Sequence, residues 1–134
     1  MHFRGERSKI VVGWATEVPF GYDFKLEKSF FEEEIWPLLA ARSNHFERLK
    51  LESGWTGLYD YNYVDCNAII SDHPEMEGYF IITGFSGHGF QHAPAAGKGL
   101  SELIQLGKFE TIDLSPLSVE RFKSNKLIME TAVF

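Results

Sequence analysis

Ile81-Ile82-Thr83-Gly84-Phe85-Ser86-Gly87-His88-Gly89-Phe90-Gln91 constrains this chain more than any other stretch. A short apolar run breaks into three closely spaced glycines and then into a helical pattern, which reads as strand, turn and helix. A helix started in this way leaves backbone N–H groups without partners and presents the positive end of its dipole. Glycines without a Cβ let the main chain lie flat against a guest. The pattern suits an anionic or electron-rich group. It also serves simply to turn the chain, and its spacing, GxxGxG, is not the GxGxxG of dinucleotide-binding folds.

Length and composition set the frame around that stretch. With 134 residues, 44% of them apolar, the chain can close one modest core, so a single domain is expected. A net charge of -6 without clustered Lys and Arg argues against a nucleic-acid partner. No apolar run approaches the roughly 20 residues of a bilayer span, so no membrane span is expected. Arg4, Glu6 and Arg7 have no apolar region behind them and are not acid-poor, so no signal or transit peptide is expected either. The single Cys66 forms no intrachain disulfide and lacks the paired spacing of a zinc site; a buried, inert thiol is expected there, and no metal.

Taken in order, His2-Phe3-Arg4 and Lys9 to Trp14 read as two strands around a polar Gly5–Ser8 turn, and Glu17 to Lys28 as a loop. Ser29 and Glu32 have the spacing of a capping box, which starts a helix at Phe30, and Pro37 is expected to bend or break it. Ser43 or Asn44 can cap a second short helix with Phe46 and Leu49 facing inward. Lys50 to Tyr61 alternates as a long strand, whose Gly54 and Gly57 mark either a bulge or the approach of a flat ligand. After a loop at Tyr61–Asp65, Ala68-Ile69-Ile70 is a short buried strand, Asp72-His73-Pro74 a turn, and Gly78 to Thr83 the strand that feeds the glycines. A helix over about 90–106 follows, with Ala93, Ala96, Leu100, Leu103 and Ile104 inward, Gly97 and Gly99 excused by close contact such as a neighbouring strand, and Gly107 as the stop. Ser118 to Asn125 forms a last helical turn before a frayed end.

The string Gly84 to Pro94, with Trp55-Thr56-Gly57-Leu58-Tyr59-Asp60-Tyr61-Asn62 before it and Thr111-Ile112-Asp113-Leu114-Ser115-Pro116 after it, resembles the C-terminal part of the FAD-dependent oxidoreductases of the D-amino-acid and sarcosine oxidase family. The likeness covers essentially the whole of residues 1–134 and implies an α+β fold. That fold has mixed, largely antiparallel substrate-domain strands plus a strand–glycine loop–helix unit. It is incomplete without an N-terminal Rossmann-type half, since no GxGxxG follows a strand here. The chain is therefore expected to be a truncated form.

The resemblance also implies a site. Gly84, Phe85, Ser86, Gly87, His88, Gly89, Phe90 and Gln91 are expected to contact the pyrimidine side of a flavin ring, with Tyr59 and Gln91 toward a small amine or amino-acid substrate. His88 either holds the flavin edge or fixes the loop, and Trp55 and Tyr59 either line the ring or pack as strand residues. Gln91 stands where sarcosine oxidases carry a lysine for the substrate carboxylate, and an amide lacks that charge. Covalently flavinylated relatives use a cysteine near Gly57 or Leu58; neither position is cysteine, so noncovalent FAD is implied. The flavin carries the chemistry, and no catalytic nucleophile–base pair is visible in the chain.

Three function classes follow. The first is a part of an oxidoreductase that oxidises a C–N bond, inactive alone. Phe31 to Pro37 and Leu117 to Phe122 bring the chain nearest to a mitochondrial member, which implies the second: a mitochondrial factor in assembly of respiratory complex I, with flavin as a structural element. The third is a non-redox phosphate-binding module, which the absence of a lysine directly after the loop disfavours.

Overall fold

The β-branched run of Ile10, Val11 and Val12 finds a partner in the residues just before it. β1 (His2–Glu6) and β2 (Lys9–Gly13) pair antiparallel from His2↔Gly13 to Glu6↔Lys9. The computed structural model describes residues 1–14 and 21–131, so the 17–20 part of the expected Glu17–Lys28 loop lies outside the described residues. The turn is tighter than expected: Gly5 and Glu6 stay in the ladder, and Arg7 closes the chain with φ 57. The chain groups into two units, Met1–Leu58 and Tyr59–Phe134.

In the first unit, residues 21–27 have no regular structure, and helix begins at Lys28, two residues before the expected Phe30. Ser29 is therefore already inside the helix, and the side chain of Glu27, which stands at the N-cap, makes no capping hydrogen bond. The capping box is not formed. Nor does Pro37 break the helix. The turn before it, Phe31–Ile35, widens so that Trp36 N–H reaches the Phe31 carbonyl, and α1 (Lys28–Phe30) runs through this wide turn into α2 (Trp36–Ala40). The wide turn takes up the missing donor and the bulk of the proline ring. Ser43, rather than Asn44, caps the following 3₁₀ turn Asn44–Arg48, its hydroxyl accepting from His45 N–H at 3.3 Å. Leu39 is fully buried, and Phe46 meets Phe3 edge-on at 5.6 Å.

The long strand expected over Lys50–Tyr61 is not there. Residues 51–60 are mostly exposed and pair with no strand among the described residues. Alternation provides a strand with a face, but only a partner edge satisfies its backbone.

In the second unit β3 (Ile69–His73) and β4 (Met76–Thr83) form an antiparallel hairpin, registered Ile69↔Thr83 and Ile70↔Ile82, with an irregularity at Asp72/His73. α3 (Gly89–Leu106) packs on it. Ala68, Ile70 and Ala96 are the buried core, with Phe85, Leu100, Phe109, Leu114 and Leu117 around them. The inward stripe of α3 is Ala96, Gly99, Leu100 and Leu103; the expected Ala93 and Ile104 are exposed. Gly99 is close-packed, but against the Leu114 side chain instead of a strand, and Gly97 faces open space. Gly107, at φ 69, ends the helix with its N–H on the Leu103 carbonyl. A 3₁₀ turn, Ser115–Leu117, and α4 (Glu120–Lys123) follow. The architecture is thus mixed α and β with short antiparallel sheets. Among the described residues no helix is long and apolar enough to cross a membrane.

Candidate functional site

β4 delivers the chain into the glycine loop at Gly84, and α3 begins at Gly89, one residue before the expected start. Between them Gly84 (φ 74), Ser86 (φ 49) and Gly87 (φ 98) all lie in the left-handed region that disfavours side chains. Ser86 is kept there by the protein. It is fully buried, its hydroxyl accepts Asn62 N–H at 3.0 Å, and that hydroxyl donates to the Gly84 carbonyl at 3.3 Å.

Residue 60 holds the front of the loop. One carboxylate oxygen of Asp60 accepts Gly84 N–H at 2.6 Å and the Thr83 hydroxyl at 3.0 Å, and the other accepts Phe85 N–H at 3.0 Å. The Asp60 carbonyl accepts Ser86 N–H at 3.2 Å, and His88 N–H turns back to the Phe85 carbonyl at 2.9 Å. Three successive loop amides are therefore internal.

The helix start is different. His88 supplies no side-chain cap, the first turn carries no acidic residue, and no side chain among the described residues bonds to the N–H groups of Gly89, Phe90 or Gln91. Those donors and the positive end of an 18-residue helix point the same way. Phe90 beside them is 95% exposed, and Gln91 is exposed too. His88 stacks on His92 at 5.5 Å, and Phe85 lies 6.5 Å from the His92 ring. Tyr59 comes to the loop as well: a Cβ added to Gly87 would lie 3.2 Å from its ring. The structure thus brings Gly84–Gln91 and Tyr59 together. Trp55, 78% exposed, belongs to the first unit.

A polar cluster stands behind the loop. Asn62 donates to Asp65 at 2.7 Å and to the Asn67 carbonyl at 2.6 Å, and its own Oδ1 accepts Val64 N–H at 3.0 Å. Asp65 in turn meets Arg121, whose side-chain hydrogen bond holds the Asp65 carboxyl below its ordinary 3.8 against the opposing effect of burial. Cys66 is half-buried rather than buried, with its sulfur 3.2 Å from the Tyr61 hydroxyl. Asp60, Asn62, Asp65 and Arg121 escape a reading of the sequence for ligands. Asn62 and Asp65 carry a local turn signal, side-chain oxygens that accept the N–H two residues on, but nothing in the sequence points from residue 60 to residue 84.

The family model for FAD dependent oxidoreductases, DAO, matches residues 2–103. The chain belongs to this family. Among DAO-family relatives, FAD-dependent oxidoreductase domain-containing protein 1 of Xenopus laevis is 45% identical over 114 residues, 85% of this chain and 23% of the relative. The Bos taurus protein of that name is 44% identical over 106 residues, 79% of this chain and 22% of the relative. N-methyl-L-tryptophan oxidase of Salmonella dublin is 44% identical over 64 residues, 48% of this chain and 17% of that enzyme. The chain therefore spans under a quarter of the length of these relatives. No solved structure matches it.

The cofactor of the DAO family is FAD. The start of α3 offers what an electron-rich group such as the flavin ring takes: three donors with no acceptor among the described residues, no carboxylate in the first turn, and an exposed phenylalanine beside them.

Proposed function

We propose that this chain is the C-terminal part of an oxidoreductase that oxidises a C–N bond of an amine or amino acid with noncovalent FAD, and that it is inactive by itself. Bound FAD supplies the hydride-accepting ring. The residues of the chain bind and orient. The N–H groups of Gly89, Phe90 and Gln91 hold the electron-rich pyrimidine edge, and donors fixed before the reaction stabilise negative charge there without reorganising. Phe90 offers apolar surface beside the ring, Tyr59 borders the substrate side, and Gln91 presents a neutral amide toward the substrate. The observation that carries this reading is the uncapped first turn of α3 set behind a loop whose Gly84, Phe85, Ser86 and His88 amides are already bonded. The name of the N-methyl-L-tryptophan oxidase relative supports the substrate class.

Titrating the purified chain with FAD, FMN and ATP tests the proposal. FAD and FMN should bind alike and more weakly than about 1 μM, because only the ring end is held, and ATP should not bind. ATP binding as strong as FAD binding would favour a phosphate-binding module instead. Submicromolar FAD binding would show a grip on the adenine half that this reading does not contain. Hydrogen peroxide released from sarcosine by the FAD-treated chain would overturn its inactivity.

A mitochondrial address and a part in assembly of respiratory complex I are proposed from the likeness to FAD-dependent oxidoreductase domain-containing protein 1. The test is whether a form that cannot bind FAD still restores complex I in cells lacking the protein.

A further inference from the structure

We infer that Asp60 is the positioning residue of the glycine loop, fixing the path that leaves the first-turn amides of α3 free for the flavin; this rests on the function proposed above. The loop has more backbone donors than a flavin edge can use. Asp60 takes those of Gly84 and Phe85 on its carboxylate and that of Ser86 on its carbonyl, and the Thr83 hydroxyl shares the first carboxylate oxygen. Residues 83 to 86 are thereby pinned to one residue of the preceding segment.

The pinning sets direction. Gly84 and Ser86 are held at positive φ, and Gly87 follows at φ 98, so the chain swings from the line of β4 into α3 across the five residues 84 to 88. A second latch, Asn62 N–H on the buried Ser86 hydroxyl, acts from the same segment. Donors left idle by a loosened Asp60 would turn toward water or toward the ligand in the wrong order.

Only a carboxylate serves all three donors. An asparagine offers one acceptor oxygen and turns an NH₂ group on the other side, so it must oppose either Gly84 N–H or Phe85 N–H donor to donor. Asp60 is itself exposed and stands outside the Ala68, Ile70 and Ala96 core, so Asp60→Asn should leave the unit folded.

The experiment compares wild type, Asp60→Asn and Asp72→Asn, the last altering a carboxylate at the opposite end of β3. Amide hydrogen exchange by NMR is read first, with the β3–β4 ladder amides reporting the fold. In Asp60→Asn the ladder should be unchanged, while whichever of Gly84 and Phe85 faces the new NH₂ group exchanges about tenfold faster or more. FAD is then titrated, reading the flavin absorbance shift. Asp60→Asn should bind at least about tenfold more weakly with a diminished shift, and Asp72→Asn should match wild type. Unchanged exchange at Gly84 and Phe85 overturns the inference, as does faster exchange with wild-type affinity and spectrum, or ladder amides exposed together with the loop. If wild type itself takes up no FAD, the functional reading falls, and the exchange comparison alone decides whether Asp60 fixes the loop.

Discussion

Arg121 closes on Asp65 across 56 residues of sequence, its Nε 2.6 Å from one carboxylate oxygen and its Nη2 3.0 Å from the other. Neither side chain reaches water, with 3% and 0% exposed. The rest of the guanidinium is equally committed: Nη2 donates to the Asn67 carbonyl at 3.1 Å, and Nη1 to the carbonyls of Leu117 and Ser118 at 2.7 and 3.3 Å. The pair fastens α4 to the segment that carries Asn62, and Asn62 holds Ser86 of the glycine loop.

Arg121→Met should therefore be among the most damaging single substitutions in the second unit. It leaves a buried carboxylate without its cation, which costs about 3–5 kcal/mol. The accompanying Asp65→Leu should restore only part of that loss, because Asn62 and Asn67 also donate to Asp65 and would be stranded. Urea unfolding of both variants at neutral pH measures this. A loss under about 1 kcal/mol in Arg121→Met would show that the carboxylate finds another partner.

Glu102 predicts a pH dependence. Its carboxylate accepts from the Thr111 hydroxyl, from Glu110 N–H at 2.8 Å and from Thr111 N–H at 3.0 Å, and Lys98 stands 3.3 Å away. These donors, the Thr111 hydroxyl first, bring its pKa down from 4.5 to about 2. A value lower in the folded state than in the unfolded one stabilises the fold above the unfolded value. That contribution should fade as pH falls from 4.5 toward 2. Glu102→Gln should melt lower at neutral pH and lose part of the slope in that acid range. Equal slopes for variant and wild type, in melts followed by circular dichroism, would remove Glu102 from the account.

What could be read from the sequence divides along the range of the forces. The β1–β2 hairpin, the helix stop at Gly107 and the cap at Ser43 are set by residues a few positions apart, and they form where local chemistry places them. The expected capping box fails by a shift of two residues, and Pro37 is absorbed by one wide turn, a choice no single residue announces. Lys50–Tyr61 fails for a different reason: its alternation is real, but a strand is made by a partner edge. The glycine loop was legible as a loop. Its support was not, since Asp60 and Asn62 act on residues 24 or 25 positions away and nothing local marks the pairing.

The two glycines within α3 should respond oppositely to the same change. Gly97→Ala places a methyl in open space and gains helix propensity, so it should stabilise by about 1 kcal/mol. At Gly99 an added Cβ would collide with Leu114 Cδ1. Leu114 would have to move, at about 1–3 kcal/mol for overpacking, and the net change should be smaller than that because the propensity gain is shared. Gly99→Ala combined with Leu114→Val should melt above Gly99→Ala alone if the collision decides the outcome. Equal effects of the two alanines would refute the asymmetry.

Gly87 separates backbone strain from side-chain collision. At φ 98 an alanine costs roughly 1–2 kcal/mol through its own backbone, and its Cβ would also sit 3.2 Å from the Tyr59 ring. Tyr59 is an exposed side chain at the edge of the loop, so it can withdraw. Gly87→Ala should thus destabilise the second unit by about the backbone cost, and adding Tyr59→Ala should recover little of it. The two single variants carry information on the site. If Tyr59 borders the flavin, the Tyr59→Ala single variant should alter the flavin absorbance shift while leaving the melting temperature nearly unchanged, whereas Gly87→Ala should lower both. A Tyr59→Ala variant with a wild-type spectrum and a lowered melting temperature would assign that ring to packing alone.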